Sequence, residues 1–224
     1  MEMNEFTAFP KMARLKRDCI ITEKIDGTNA QIHIKPMDPT FSTDPFVLGA
    51  IRDDDDHPRL MVKAASRTRY ITPDEDNQGF AAWVVQRLQE LRGLGVGRHY
   101  GEWWGRGIQR GYGLQDRRFS LFNAQRWAPF GTVPGVLPQN NSKAAPKYQD
   151  VAPECCGVVP VLYQGAFTTP AIEWTLDYLR QRGSQAAPGF MQAEGIITFH
   201  TAGNVGFKTT LVGDESFKGA QSAS

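Results

Sequence analysis

Four side chains spread along the sequence carry the charges that phosphoryl chemistry uses. Lys24 stands in Thr22-Glu23-Lys24-Ile25-Asp26-Gly27-Thr28-Asn29, a glycine-marked turn between the apolar segments 20–21 and 30–34. Such a turn presents an amine at the mouth of a cleft. A lysine attacks only when deprotonated, and its free pKa of about 10.4 makes it weak at neutral pH. Burial or neighbouring positive charge lowers that value; a nearby carboxylate opposes the shift. Attack at the α-phosphate of a nucleoside triphosphate gives a phosphoramide and pyrophosphate. The plainer alternative is a surface lysine beside an ordinary Asp-Gly turn.

Glu102 lies in Tyr100-Gly101-Glu102-Trp103-Trp104-Gly105. Strand parity puts Tyr100, Glu102 and Trp104 on one face, where a carboxylate among aromatics can hold a ribose hydroxyl or a metal-bound water. Glu194 leads the apolar run Gly195-Ile196-Ile197, and Gly195 permits close approach of backbone or ligand. Lys208 alternates with Val205, Phe207, Thr209 and Leu211, so it points into a cleft while they fill a core. Each feature alone reads equally well as an ordinary strand end. Together, two carboxylates and two lysines form the charge set for metal-assisted transfer to a polyphosphate.

The elements that must position them are mostly short strands. The pattern predicts strand, turn, strand over 20–34, with Ala30, Ile32 and Ile34 on one face and Gln31 and His33 on the other. Residues 36–59 read as a proline-punctuated excursion with a short strand near 46–51, followed by a strand over 60–64. The spacing of Phe80, Val84 and Leu88 predicts a helix over 78–91, capped by Asp76 or Asn77. Strands follow near 98–104 and 118–123, then a long loop over 127–149 and a strand over 157–162. Thr169-Pro170 opens a helix to about 182. Strands over 194–200 and 205–211 and a frayed end complete the chain. This is an α+β pattern with mainly antiparallel sheets and peripheral helices. Neither a dinucleotide fingerprint nor a P-loop is present.

The 224 residues fit one domain, and 41% apolar content is enough for a core. A net charge of +1 gives no global basic field. Cys19, Cys155 and Cys156 form no C-x-x-C pair and read as reduced thiols of a cytoplasmic protein. The N-terminus lacks an apolar targeting segment, and no stretch is suited to a membrane span. The aspartates of 53–56 read as a solvated loop. His33, His57, His99 and His200 lack zinc-site spacing. Arg106, Arg110, Arg117, Arg118 and Arg126 interleave with Trp103, Trp104, Tyr112 and Trp127. That segment reads either as an RNA-facing patch or as a solvated arginine face.

In this order the motifs resemble those of the ATP-dependent RNA ligases, within the superfamily that includes DNA ligases and capping enzymes. The likeness is greatest to the branch typified by the second RNA ligase of bacteriophage T4, and covers roughly residues 19–212. It implies a nucleotidyltransferase fold with antiparallel sheets flanking an ATP cleft. It implies that Lys24 is adenylated, that AMP passes to an RNA 5′-phosphate, and that a 3′-hydroxyl is then joined. By the same resemblance Glu23 contacts adenine, while Asp26, Gly27 and Asn29 complete the lysine motif. Arg67 contacts nucleotide and incoming end, Glu102 the ribose, and Phe122 stacks on adenine. Glu194 binds Mg2+ or Mn2+, and Lys208 steers the phosphate.

The chain departs from the family pattern in one motif. The last motif usually holds Lys-x-Lys, yet Gly206 and Thr210 flank Lys208. The expected organisation is a single nucleotidyltransferase domain over 1–224, without an OB-fold or C-terminal helical domain, working as a monomer. A partner protein is then a natural source of targeting. Two other readings fit the residues: a GTP-dependent capping-type guanylyltransferase, and a degenerate nucleotide- or RNA-binding module.

Overall fold

The computed structural model describes residues 9–130 and 148–213. Most of the loop expected over 127–149, and the expected frayed end, lie outside the described residues. In chain order the strands are β1 (Asp18–Lys24), β2 (Thr28–Pro36), β3 (Gly49–Arg52), β4 (Pro58–Ala65) and β5 (Tyr70–Ile71). Helix α1 (Phe80–Gln86) precedes β6 (Gly97–Gly105), β7 (Arg117–Leu121), β8 (Trp127–Ala128), β9 (Asp150–Val151), β10 (Cys156–Val158) and β11 (Val161–Ala166). Helix α2 (Thr169–Arg182) leads to β12 (Gly195–His200) and β13 (Val205–Thr210).

Two sheets carry the architecture. The larger has the order β10-β7-β6-β2-β4-β3, with β5 on β4; the smaller has the order β11-β1-β12-β13. Pairing is antiparallel except between β10 and β7 and within the small β8–β9 pair. The chain is therefore α+β, as its alternation predicts. The described helices are too short and polar to cross a membrane.

Each sheet buries one face against a helix. Ile32, Val62, Trp103 and Phe119 of the large sheet pack with Phe80, Ala81 and Val84 of α1. Ile21 and Ile196 of the small sheet pack with Leu176 and Leu179 of α2. Alternation along β2 explains the first core: Ala30, Ile32 and Ile34 are buried while Gln31 and His33 face the other side.

Three expected elements differ. The helix over 78–91 ends at Gln86, and Glu90–Leu94 forms a 3-10 turn. Leu91 and Leu94 of that turn are both buried in the core. Asp76 does cap α1, accepting from the amides of Ala81 and Ala82 at 2.7 and 3.0 Å, although the capping position itself is Gly79. The strand over 157–162 is interrupted at Val159-Pro160, where proline offers no amide to a ladder. Helix α2 is capped by Thr168, one residue earlier than expected, through a bond from Ala171 N.

Candidate functional site

The sheet faces not covered by helices meet across a cleft of about 1070 Å³. From the small sheet it is lined by Ile20, Thr22, Lys24, Ile197 and Lys208; from the large sheet by Asn29, Tyr100 and Glu102. Arg67 reaches in from the β4–β5 turn and Phe122 from the end of β7. The fold thus brings Lys24, Asp26, Gly27, Asn29, Arg67, Glu102, Phe122 and Lys208 to one cleft.

Lys24 ends β1 and pairs in register with Gly195 of β12. Its Nζ lies 2.5 Å from Glu194 Oε1, with both side chains largely covered. A side chain on Gly195 would collide with the carbonyl of Thr209, so glycine is what allows β13 to close against this corner. Gly27 is fixed just as tightly. An added Cβ would lie 2.5 Å from Trp103 O and 2.9 Å from Glu102 Cγ. The Gly27 amide instead donates to Glu102 Oε1 at 3.1 Å, tying the lysine turn to the glutamate.

Burial pushes the Glu102 carboxyl up to about 7, against the opposing pull of Lys24 and the Gly27 amide. In the unfolded chain the group ionises near 4.5. Its stabilisation is therefore complete below about pH 4.5 and lost as pH rises through 7. Glu102→Gln fixes the neutral form. Its melting temperature is expected to exceed that of the parent at pH 8 by roughly 3 °C, about 1 kcal/mol for a chain of this size. The two proteins should melt alike at pH 5. A variant less stable than its parent at pH 8 would contradict the assignment.

Glu23 also lines the cleft, and its carboxylate is engaged by the loop after α2. Its Oε2 accepts from the amides of Gln185 and Ala186 at 2.7 and 2.9 Å, and Oε1 is buried without a partner. Burial raises its pKa. What Glu23 does with its carboxylate is hold the loop between α2 and β12, which delivers Glu194.

Asp26 is clamped by residues that sequence reading assigned elsewhere. Arg110 Nε donates to Asp26 Oδ2 at 2.8 Å, and Arg110 Nη1 to the carbonyl of Gln192 at 3.0 Å. The Asp26 amide donates to Tyr112 Oη at 2.7 Å. The intervening loop bends through positive φ at Gly107, Gln109, Gly111, Tyr112 and Gly113. Its glycine spacing was the available signal.

The patch of arginines and aromatics does not offer its rings. Trp103, Trp104, Tyr112 and Trp127 are buried. Arg117 caps the carbonyls of Gln78 and Arg106, and Arg126 binds Asp150 and lies over Trp127. Lys208 lies in register with Ile197 and thus level with Thr22, on the cleft side as parity predicts. The opposite face of β13 is not a closed core, however: Val205 and Phe207 are 42% and 51% exposed, since β13 is an edge strand that α2 does not cover. The three cysteines are unlinked, with the sulfurs of Cys155 and Cys156 3.8 Å apart.

The sequence pattern of the RNA ligase family matches residues 17–210. The chain belongs to the RNA ligase family. The match spans every candidate residue from Glu23 to Lys208. Among solved structures, a Naegleria gruberi RNA ligase variant with ATP and Mn is 16% identical at a TM-score of 0.44, over 86% of this chain and 48% of that one. An apo variant of a Naegleria gruberi RNA ligase is 17% identical at a TM-score of 0.41, over 86% and 49%. The chain spans about half the length of these ligases. No curated protein matches it in sequence. Within this family the cleft between the two sheets is the candidate active site, and Lys24 its candidate nucleophile.

Proposed function

We propose that the chain is an ATP-dependent RNA ligase that adenylates Lys24, transfers AMP to an RNA 5′-phosphate and joins it to a 3′-hydroxyl. The observation that carries this reading is the lysine held at the cleft mouth against Glu194, with Glu102, Arg67 and Lys208 around the same space. Residues 19–212 would form the catalytic core, in the manner of the branch typified by the second T4 RNA ligase.

Ile197 on one wall and Phe122 on the other, 39% exposed, offer apolar surfaces for a flat base. In this reading Glu102 accepts the ribose hydroxyls. Lys24 must leave Glu194 before its amine can attack. Lys208 and Arg67 lie where they can neutralise phosphate oxygens.

The carboxylates also fit a divalent ion. Glu194 Oε2 is buried and lacks a hydrogen-bond partner. Among the described residues no cluster of three ligating side chains could hold an ion alone. That suits Mg2+ or Mn2+, which take one or two carboxylates and complete their shell with phosphates and water. Such an ion would neutralise the triphosphate and draw charge from the leaving pyrophosphate.

Comparison of 5′-phosphorylated nicks with RNA, DNA or mixed strands tests the substrate assignment. Sealing is expected with an RNA 3′-hydroxyl arm and should fall by about tenfold or more when that arm is DNA, as for a site that binds the ribose hydroxyl. Equal sealing of an all-DNA nick would overturn it.

A further inference from the structure

We infer that the large-sheet wall of the cleft, with the surface continuing from it, seats the 3′-hydroxyl RNA arm as a single strand, along Arg67, Tyr100 and Arg98, which line the cleft, and Gln31 and His33 next to them; this rests on the ligase reading above. Gln31 stands opposite Tyr100 and His33 opposite Arg98 in the β2–β6 register, so all four share one face of the large sheet. The row begins at the cleft, where Gln31 Nε2 donates to the carbonyl of Ser66, next to Arg67. Gln31 Oε1 then meets His33 Nε2 at 3.0 Å, and His33 Nδ1 meets the Tyr70 hydroxyl at 3.1 Å. These bonds fix the polar side chains before any ligand arrives, which lowers the ordering cost of binding.

Several properties point to a nucleic-acid strand. Arg98 and Arg67 make no ion pair or hydrogen bond through their side chains among the described residues, whereas Arg59, Arg110 and Arg126 each hold a carboxylate. Asp44, the carboxylate alongside, is taken up by Lys63, so it does not cancel the field of Arg98. Tyr100 is 45% exposed in mid-sheet, a ring with room for a base to stack. Arg98 is four residues from Glu102, about 13 Å along the strand, which leads the row away from the reacting centre. One row of cations with one open ring suits an unstacked single strand better than a duplex, whose bases are already paired.

The test titrates the protein with a fluorescent, unphosphorylated single-stranded RNA at several salt concentrations, alongside AMP labelling of the same samples. Arg98→Glu is expected to bind this RNA about tenfold more weakly and to lose roughly 0.7 from the slope of log affinity against log salt, the signature of one lost phosphate contact on a single strand. Tyr100→Leu should lose about tenfold in affinity with the slope unchanged, the signature of stacking. Unchanged affinity and slope in Arg98→Glu would overturn the assignment. So would parent protein that binds a nicked duplex but not the single strand, or neither, which would leave this face to a protein partner. Salt and stacking signatures in a protein that never takes up AMP would keep the RNA surface and remove the ligase reading.

Discussion

Lys24→Ala is expected to lose all covalent labelling by α-labelled ATP. No other described amine occupies this corner: Lys208 lies level with Thr22, two residues back along the strand direction from Lys24. Alanine also strips Glu194 of its ion-pair partner, so a loss of label could be confused with a local collapse. Lys24→Arg separates the two. Arginine keeps a cation beside Glu194, but it stays protonated at any working pH and cannot act as the nucleophile. Both variants should fold, with melting temperatures within a few degrees of the parent, and neither should take up AMP. Labelling of a folded Lys24→Arg protein would move the nucleophile elsewhere.

Lys208→Ala is expected to keep a native melt and to lose lysyl-AMP formation by roughly 100-fold or more, as when a preorganised charge at the developing oxyanion is removed. Its exposure makes a stability role small. Gly206 and Thr210 flank Lys208 at spacing two; Thr210 stands level with Lys24 through Gly195 and bonds the carbonyl of Val212. Among the described residues, Lys208 is the one lysine of β13 that faces the cleft. Near-normal adenylation by folded Lys208→Ala would assign the cationic role to Arg67 or to the metal.

The strands that carry the chemistry were legible because each has one buried and one open face. Alternation along β2, β6 and β12 reports the core directly, and the lysine turn falls between two such strands. Parity also places Lys208 correctly, yet it says nothing about what covers the far side of an edge strand. Hence Val205 and Phe207 were expected in a core that the fold does not supply there. Glu23 shows a similar gap. Glu23 lines the cleft beside Lys24, yet what its carboxylate binds is not a local matter. The acceptor role of Glu23 depends on the amides of Gln185 and Ala186, more than 160 residues away.

The Asp26 clamp was not legible for the same reason. Arg110 lies 84 residues from Asp26, in a loop whose path is set by left-handed residues rather than by any apolar period. Local periodicity also misjudged the segment 78–91. A stripe at i+4 continues on paper, but the backbone tightens into a 3-10 turn at Glu90, with Leu91 and Leu94 still buried.

The central claim is that this cleft makes a covalent bond between Lys24 and AMP. Folded protein, first freed of bound nucleotide, is incubated with α-labelled ATP across a series of divalent metals, and the labelled peptide is mapped by mass spectrometry. ATP- and metal-dependent label is expected on the peptide carrying Lys24, released as ATP when pyrophosphate is added back. Absence of label under every metal, or label that maps to another residue, would contradict it.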